Sequence, residues 1–384
     1  MRLATATMRN LRGKVAVITG SSSGLGREVA YHLVKCQADV VLACRDRIKA
    51  QKAVEFIENR LKNESTIASD SPENIFGKMH VMDLDLADLH SIDAFVGEFG
   101  QQFSRLHVLI NNAGVMACPY STSRGGLIES HFAINHLGHF YLTNLLLPIL
   151  KRSAPSRILI VTSGYYRKLA QSPPSPDVAS LFDVVDKGSE PGYDPLKAYA
   201  RSKLANCLHG VELAKRVKED NVQVFVIRPG FVRGTELGRH FSGVLTALAK
   251  PFIWMFSQTV EQGAQTYLFC VLTEDGPELK SGALYYNCEL QPYLDNLVDL
   301  PSSILSHFGF FDCDHKEVKR YNNAWLSPLR TLPQDWVNVF KRYVVDYWQY
   351  PTIPFVLTYF FYDWGKKTNE RLNRKNPADY ANDQ

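Results

Sequence analysis

Lys14-Val-Ala-Val-Ile-Thr19 runs straight into Gly20-Ser-Ser-Ser-Gly24-Leu-Gly26, and a helical pattern through Ala30, Leu33 and Val34 follows. A short apolar strand, a glycine turn and a helix in that order predict the first unit of a doubly wound α/β fold with a parallel sheet. The glycines let backbone come close to a pyrophosphate, and the helix start offers unpaired N–H groups and a partial positive charge. Ser22, Ser23 and Leu25 belong to the same turn. On its own the glycine spacing also fits an ordinary turn. The elements on either side favour a dinucleotide.

The next stretches extend this Rossmann-type pattern. Asp39-Val-Val-Leu-Ala-Cys44 reads as a second strand ending in Arg45-Asp46. At this position an acid suits the 2′-hydroxyl of NAD and an arginine the 2′-phosphate of NADP, so Arg45 favours NADP(H) over NAD(H). Asp46 as a displaced ribose ligand, or Arg45 as a solvated loop charge, are the alternatives. A charged helix runs from Arg47 to about Leu61, and the polar residues 62–77 read as a surface loop. Lys78-Met-His-Val-Met82 is a third strand, after which Asp85-Leu86 offers a carboxylate to an adenine amino group; the plain alternative is that Asp85 or Asp88 caps the helix through Phe95. Val108-Leu-Ile110 ends in Asn111-Asn112-Ala113-Gly114, amides and small residues where a ligand would approach.

A helix from about Leu127 to Leu150 contains Asn135, which needs either exposure or an internal hydrogen-bonding role. His136 and His139 beside it read as packing or surface residues. Arg157-Ile-Leu-Ile-Val-Thr162-Ser163-Gly164 is a strand whose Ser163 reaches the same crevice, and 171–177 is a Pro- and Ser-rich loop. Pro195 opens a helix carrying Tyr199-Ala-Arg-Ser-Lys203. At a spacing of four the phenol and the ammonium lie one turn apart, so the cation favours the ionised phenol. Many amphipathic helices carry that spacing without chemistry. Val222–Arg228 is a sixth strand ending at Pro229-Gly230, with Val232 and Thr235 in the turn that would hold a nicotinamide carboxamide. Residues 240–258 are apolar and aromatic, a substrate lid or simply core, and Ser281–Tyr286 reads as the last strand.

Composition narrows the classes. The chain has 384 residues, 45% hydrophobic, with 43 basic against 39 acidic residues and a net charge of +4, too balanced for a nucleic-acid partner. Seven cysteines, at 36, 44, 118, 207, 270, 288 and 313, are odd in number and form no Cys-x-x-Cys pair, which argues against a disulfide framework or a metal site and for a reducing compartment. The first residues hold no long apolar run, so no secretory signal is expected. Arg2, Arg9 and Arg12 leave a targeting reading open.

Thr19-Gly20-x-x-x-Gly24-x-Gly26, Asn111-Asn112-Ala113-Gly114, Asn135, Ser163, Tyr199-x-x-x-Lys203 and Pro229-Gly230 together resemble the short-chain dehydrogenase/reductase family in its single-domain form. Ala43-Cys-Arg-Asp46 and Glu261-Gln-Gly-Ala-Gln265 look like its retinol-dehydrogenase-like branch. The resemblance implies Tyr199 as acid/base, Ser163 as the donor to the reacting oxygen, Lys203 as ribose ligand and depressor of the tyrosine pKa, and Asn135 as anchor of a relay water. The implied cofactor residues are Gly20, Ser22, Ser23, Gly24, Leu25, Gly26, Arg45, Asp85, Leu86, Asn112, Ala113, Gly114, Tyr199, Lys203, Pro229, Gly230, Val232 and Thr235. Thr162 stands where that branch has serine, and Gly234 is an extra residue before Thr235. The implied activity is NADP(H)-dependent interconversion of an alcohol and a carbonyl on a lipophilic retinoid, steroid or isoprenoid-like substrate. A cofactor-bound sensor or scaffold is the alternative. A sugar-nucleotide epimerase would space its glycines as Gly-x-x-Gly-x-x-Gly.

The expected organisation is a lead (1–13), a catalytic domain (14–324) with a lid at about 236–260, and an extension (325–384). In the extension, residues 347–362 (YWQYPTIPFVLTYFFY) are aromatic and interrupted by Pro351 and Pro354, too short and broken to span a bilayer. Lys366, Lys367, Arg371, Arg374 and Lys375 follow. A peripheral lipid-surface contact is one reading; packing on the domain or on a second subunit of a homodimer is the other. The expected location is the cytoplasm, at the cytosolic face of the endoplasmic reticulum or a lipid droplet.

Overall fold

Strands buried on both faces and joined through helices are the signature of a covered parallel sheet, and Val108–Asn111 and Ser156–Val161 are buried throughout. The computed structural model describes residues 10–67, 76–123, 128–167, 193–235, 237, 257–273 and 279–291. The chain falls into two units, Met1–Ala324 and Trp325–Gln384, and every described residue lies in the first. In chain order these residues form β1 (Val15–Thr19), α1 (Gly24–Lys35), β2 (Asp39–Cys44), α2 (Arg47–Ile67), β3 (Met79–Asp83), α3 (Leu89–Gln102) and β4 (Val108–Asn111). A helical turn (Ser130–Phe132), a π-helical turn (Ala133–Leu137) and α4 (Gly138–Arg152) then run on without a break. They are followed by β5 (Ser156–Val161), α5 (Pro195–Arg216), β6 (Val222–Arg228), α6 (Val260–Leu272), β7 (Leu284–Tyr286) and β8 (Glu289–Gln291).

The sheet order is β3-β2-β1-β4-β5-β6-β7-β8. All neighbours are parallel except the β7–β8 pair. The order reverses between β1 and β4, which opens a crevice at their carboxyl ends. Alternation along the strands feeds two cores. Ala16, Ile18, Val40 and Leu42 face α1, α2 and α6; Val17, Val41 and Leu109 face α3, α4 and the far end of α5.

Several boundaries differ from expectation, among them that of β5, which ends at Val161 instead of running on to Gly164. Helix α2 runs on to Ile67 rather than ending near Leu61, because Glu64 is held by Tyr31 and Lys35 of α1. The long helix expected from Leu127 starts at Ser130 and widens into a π turn over Ala133–Leu137, which includes Asn135. The last parallel strand is shorter than expected, Leu284–Tyr286. An unforeseen antiparallel β8 follows it across Asn287 (φ 51°) and Cys288 (φ 63°). Two consecutive left-handed residues make the turn that suits strand twist, and Asn-Cys is not the sequence that announces it. The loop at 171–177, most of the expected lid, the first nine residues and the extension lie outside the described residues.

Candidate active site

The carboxyl end of β1 is organised by one hydroxyl. Thr19 is fully buried, and its Oγ1 accepts the backbone N–H groups of Asn112 and Ala113, both at 2.9 Å. It lies 2.8 Å from His139 Nε2. The other nitrogen, Nδ1, is 3.1 Å from the Asn135 carbonyl. Burial holds His139 neutral, its pKa down at about 3. A carbonyl can only accept, so Nδ1 carries the proton and Nε2 accepts a hydrogen bond from the Thr19 hydroxyl. The hydroxyl is thus satisfied as a double acceptor and a donor.

Gly20 (φ 64°) and Gly24 (φ 54°) are left-handed, and a Cβ on Gly20 would lie 2.8 Å from the Ala113 Cα. One on Gly26 would meet the Gly20 carbonyl at 2.6 Å and Asn112 Nδ2 at 2.7 Å. At Gly20 and Gly26 a side chain would collide with protein atoms already in place, so the turn closes this tightly against the Asn112–Ala113 segment only with glycine. Ser23 is the N-cap of α1 but uses no side-chain hydrogen bond on the helix. Ser22 lies within reach of the Cys44 thiol. Asn112 Nδ2 donates to the carbonyls of Thr19 (2.9 Å) and Gly20 (3.4 Å), while its Oδ1 accepts from Tyr267 of α6. Asn111 instead bonds Thr143 of α4.

Across the crevice, Asn135 uses its whole amide on the protein. Its Oδ1 accepts from the Val115 N–H (2.8 Å), and its Nδ2 donates to the Val115 carbonyl and Ser202 Oγ, both at 3.0 Å. Ser202 donates in turn to the Tyr199 carbonyl. Asn206 Nδ2 donates to the carbonyls of Asn135 and Val161, which leaves its Oδ1 for His136 Nδ1. The widened π turn, a common feature of functional sites, is what lets the Asn135 carbonyl face both His139 and Asn206. A Cβ on Gly114 would come within 3.1 Å of Asn135 Oδ1 and 3.6 Å of Lys203 Nζ.

Asp194 caps the start of α5 and Pro195 fills its first position. Helix α5 carries Tyr199 and Lys203, both buried, with Lys203 Nζ 5.7 Å from the tyrosine ring centre. Lys203 donates to the Val161 carbonyl at 3.1 Å, and Thr162 Oγ1 donates to the Lys203 carbonyl at 2.7 Å. The end of β5 is thereby fixed against α5, with Ser163 facing the phenol. Burial raises the Tyr199 pKa to about 12, while the Ser163 hydrogen bond pulls it down and Tyr165 adds to the rise. The expected depression by Lys203 is not what the protein's own groups produce. Burial lowers Lys203 itself to about 8, partly offset by Cys207.

Leu25 and Val232 meet over Gly263 of α6, where a Cβ would lie 2.6 Å from Val232 and 2.9 Å from Leu25. Thr235 sits against Gly24, 3.4 Å from a Cβ there, so the Pro229–Gly230 turn returns over the glycine turn despite the extra Gly234. Gly230 is left-handed (φ 86°). At the carboxyl end of β2 Arg45 is exposed. The Asp46 carboxylate accepts from the Lys49 N–H and is committed to the start of α2. Asp85 Oδ1 accepts from the Ala87 N–H, and Asp88 caps α3. Leu86 is buried with its carbonyl against Gly138, where a Cβ would lie at 2.3 Å. No group of three or more potential metal ligands occurs among the described residues.

Sequence reasoning brought the main residues together but missed Thr19, Ser202, Asn206 and the bonding role of His139. The available signal was spacing: His139 is four residues past Asn135 and Asn206 three past Lys203, each on its neighbour's helical face.

A glycine turn at a helix start thus stands at the same strand ends as the half-buried Ser163 and the buried Tyr199 and Lys203. Residues 14–171 match the short chain dehydrogenase family model. Retinol dehydrogenase 14 of Mus musculus is 41% identical over 294 residues, covering 75% of this chain and 82% of that protein. Retinol dehydrogenase 12 of Homo sapiens is 41% identical over 281 residues, covering 73% and 79%. The chain belongs to the short-chain dehydrogenase/reductase family, in its retinol-dehydrogenase-like branch, whose cofactor is a nicotinamide nucleotide. Among solved structures, an uncharacterised protein of Mycobacterium paratuberculosis superposes with a TM-score of 0.53 at 27% identity, covering 78% of this chain and 96% of that one. A short-chain dehydrogenase/reductase of Burkholderia xenovorans superposes with a TM-score of 0.53 at 18% identity, covering 72% and 95%, and speaks for the fold alone. Residues 326–381 match a different model, that of the UcrQ family.

The depressed lysine makes a stability prediction. Below about pH 8 Lys203 is charged in both folded and unfolded chains, and the folded state bears the full cost; between about 8 and 10.5 the unfolded chain holds the proton more tightly and the cost fades. Lys203→Met should therefore stabilise the nucleotide-free protein at pH 7 by about 1–3 kcal/mol, with the gap closing toward pH 10.5. Thermal melts across that range check it. A lower melting temperature for the variant, or a gap that ignores pH, contradicts the burial argument.

Proposed function

We propose that the chain is an NADP(H)-dependent oxidoreductase that interconverts an alcohol and a carbonyl on a lipophilic, retinoid-, steroid- or isoprenoid-like molecule. The carrying observation is the convergence of Ser163, Tyr199 and Lys203 beside Gly114 at the carboxyl ends of β4 and β5. The bound nicotinamide supplies hydride exchange with the substrate carbon. The chain supplies binding, orientation and one proton. Tyr199 Oη gives that proton to the carbonyl oxygen in reduction and takes it from the hydroxyl in oxidation, while Ser163 Oγ donates a hydrogen bond to the same oxygen. Lys203, its Nζ 5.7 Å from the Tyr199 ring centre, would hold the nicotinamide ribose beside the phenol. Asn135, its amide committed to Val115 and Ser202, keeps the π turn beside Lys203, where a relay water would be ordered.

The pyrophosphate falls to Gly20, Ser22, Ser23, Gly24, Leu25 and Gly26. Asp85 and Leu86 take the adenine, Asn112, Ala113 and Gly114 line the middle, and Pro229, Gly230, Val232 and Thr235 close over the nicotinamide. The exposed Arg45 beside an Asp46 occupied with capping supports NADP(H). The names of the retinol dehydrogenases support a lipophilic substrate, as does Phe231, 57% exposed beside the Pro229–Gly230 turn. The proposal extends to a lipid-surface contact by the aromatic and basic extension at the cytosolic face of a membrane. No helix among the described residues is long and apolar enough to cross a bilayer.

Following NADPH absorbance with retinoid, steroid, polyprenol-derived and small polar carbonyls tests the reading. Oxidation confined to the lipophilic set is expected; turnover of the small polar carbonyls alone would overturn the substrate class. Tyr199→Phe should lower kcat at least about 10²-fold with NADPH binding intact, and activity within threefold of the parent would remove Tyr199 from the chemistry. Arg45→Ala should weaken NADPH by about 1.5–3 kcal/mol and hardly affect NADH. Equal losses for the two nucleotides would show that Arg45 does not read the 2′-phosphate.

A further inference from the structure

One ring away from Tyr199 lies a buried polar cluster that the chemistry above does not use. Glu129 Oε1 accepts from the His131 N–H (2.8 Å), from His131 Nδ1 (2.7 Å) and from the Tyr193 hydroxyl (2.8 Å), while Oε2 accepts from the Phe132 N–H (3.1 Å). His131 Nε2 is 3.3 Å from Cys118 Sγ. The imidazole is thus held between a carboxylate and a thiol, with no exposure to solvent. Its ring stands edge-on to Tyr199 at 6.2 Å between centres, and Tyr165 stands edge-on from another side at 5.9 Å.

The cluster joins three stretches that each carry a site residue. Cys118 belongs to the loop after Gly114 and Val115, and the same loop is tied on by Ser121, whose Oγ is 2.8 Å from Ser130 Oγ and whose carbonyl accepts from the Ser130 N–H. Glu129 caps the helical turn that runs into Asn135. Tyr193 directly precedes the Asp194 cap of α5, six residues before Tyr199.

Stability alone is a poor reason for this arrangement. A buried ion pair replaced by apolar residues of similar volume is often no less stable, while removing one partner strands a charge. Burial opposes charge on both groups. Even so, the bonds from His131 and Tyr193 hold Glu129 below the usual carboxylate range, and those to Cys118 and Glu129 hold His131 above the usual imidazole range.

We propose that Glu129 and His131, with Tyr193 and Cys118 as their outer partners, are positioning residues for Tyr199: they fix the ring edge-on and lock the loop after Gly114, the Asn135 turn and the start of α5 into one unit. This rests on Tyr199 being the proton-transfer group. A sub-ångström loosening of a reacting group is felt mainly in kcat, because most of the proposed nucleotide contacts, those at the glycine turn and the Pro229–Gly230 turn, lie outside the cluster.

The test compares the full-length parent with Glu129→Gln, Tyr193→Phe and the doubly apolar Glu129→Leu/His131→Leu, reading kcat, NADPH affinity and melting temperature for each. Glu129→Gln should lower kcat about 10–100-fold and Tyr193→Phe about tenfold, with NADPH affinity within about twofold of the parent. The doubly apolar variant should melt close to the parent and still show the low kcat. If the apolar pair restored kcat together with stability, or if Glu129→Gln lost stability while kcat held, the cluster would be structural only. Should Glu129→Gln fail to fold, Tyr193→Phe, which deletes one hydroxyl, decides by the same criterion. Turnover by the parent tests the functional reading separately, since this inference concerns only the difference between parent and variants.

Discussion

The hydroxyl of Thr19 is the fixed point from which the crevice is built. It closes β1, accepts two N–H groups from the turn after β4, and donates a hydrogen bond to His139, which holds the Asn135 carbonyl. A buried hydroxyl with all its partners is worth only about 1 kcal/mol net per bond, but a buried N–H stranded by its loss costs about 1–3 kcal/mol. This asymmetry couples the glycine turn to the π turn. The proposed nucleotide cradle and the proposed proton-transfer side are two ends of one hydrogen-bonded chain.

Beside that network the proposed catalytic groups, Tyr199 and Lys203, sit in an environment that suits neither of them. Burial lifts the Tyr199 phenol to about 12 and lowers the Lys203 ammonium to about 8. Both shifts disfavour the charged forms. A lysine without a carboxylate partner and a tyrosine that resists ionisation are poor choices for a core, and they make sense where a nucleotide and a reacting oxygen supply what the protein withholds. Glu129 and His131 follow the opposite rule a few ångströms away, two buried groups that satisfy each other and hold their neighbours still.

The parallel sheet was legible because each strand end carried its own chemistry: glycines after Thr19, amides after Ile110, hydroxyls after Val161, Pro-Gly after Arg228. Tyr199 and Lys203 were legible from their spacing on one helix. Less visible were interactions between elements far apart in sequence, such as Thr19 with His139 or Asn135 with Ser202, since no local pattern records who will face whom. The π turn was hidden for a related reason. Residues 129–143 are buried at nearly every position, so there was no one-sided apolar stripe for the extra residue to displace. His136 and His139, read as packing or surface residues, are buried members of the network, and the extra turns of α2 rest on Glu64, a residue that looks like loop. The matches of residues 14–171 and 326–381 to two different family models agree with the change of composition seen in the tail.

If one hydroxyl couples the cradle to the catalytic side, removing it must weaken nucleotide binding although Thr19 need not touch the nucleotide. The direct measurement is the NADPH dissociation constant, read by nucleotide fluorescence, for folded Thr19→Val beside Thr19→Ser. The valine keeps the shape and loses the hydroxyl, and should bind at least about tenfold more weakly; the serine keeps the hydroxyl and should bind close to the parent. A valine variant that binds NADPH as tightly as the parent would contradict the account.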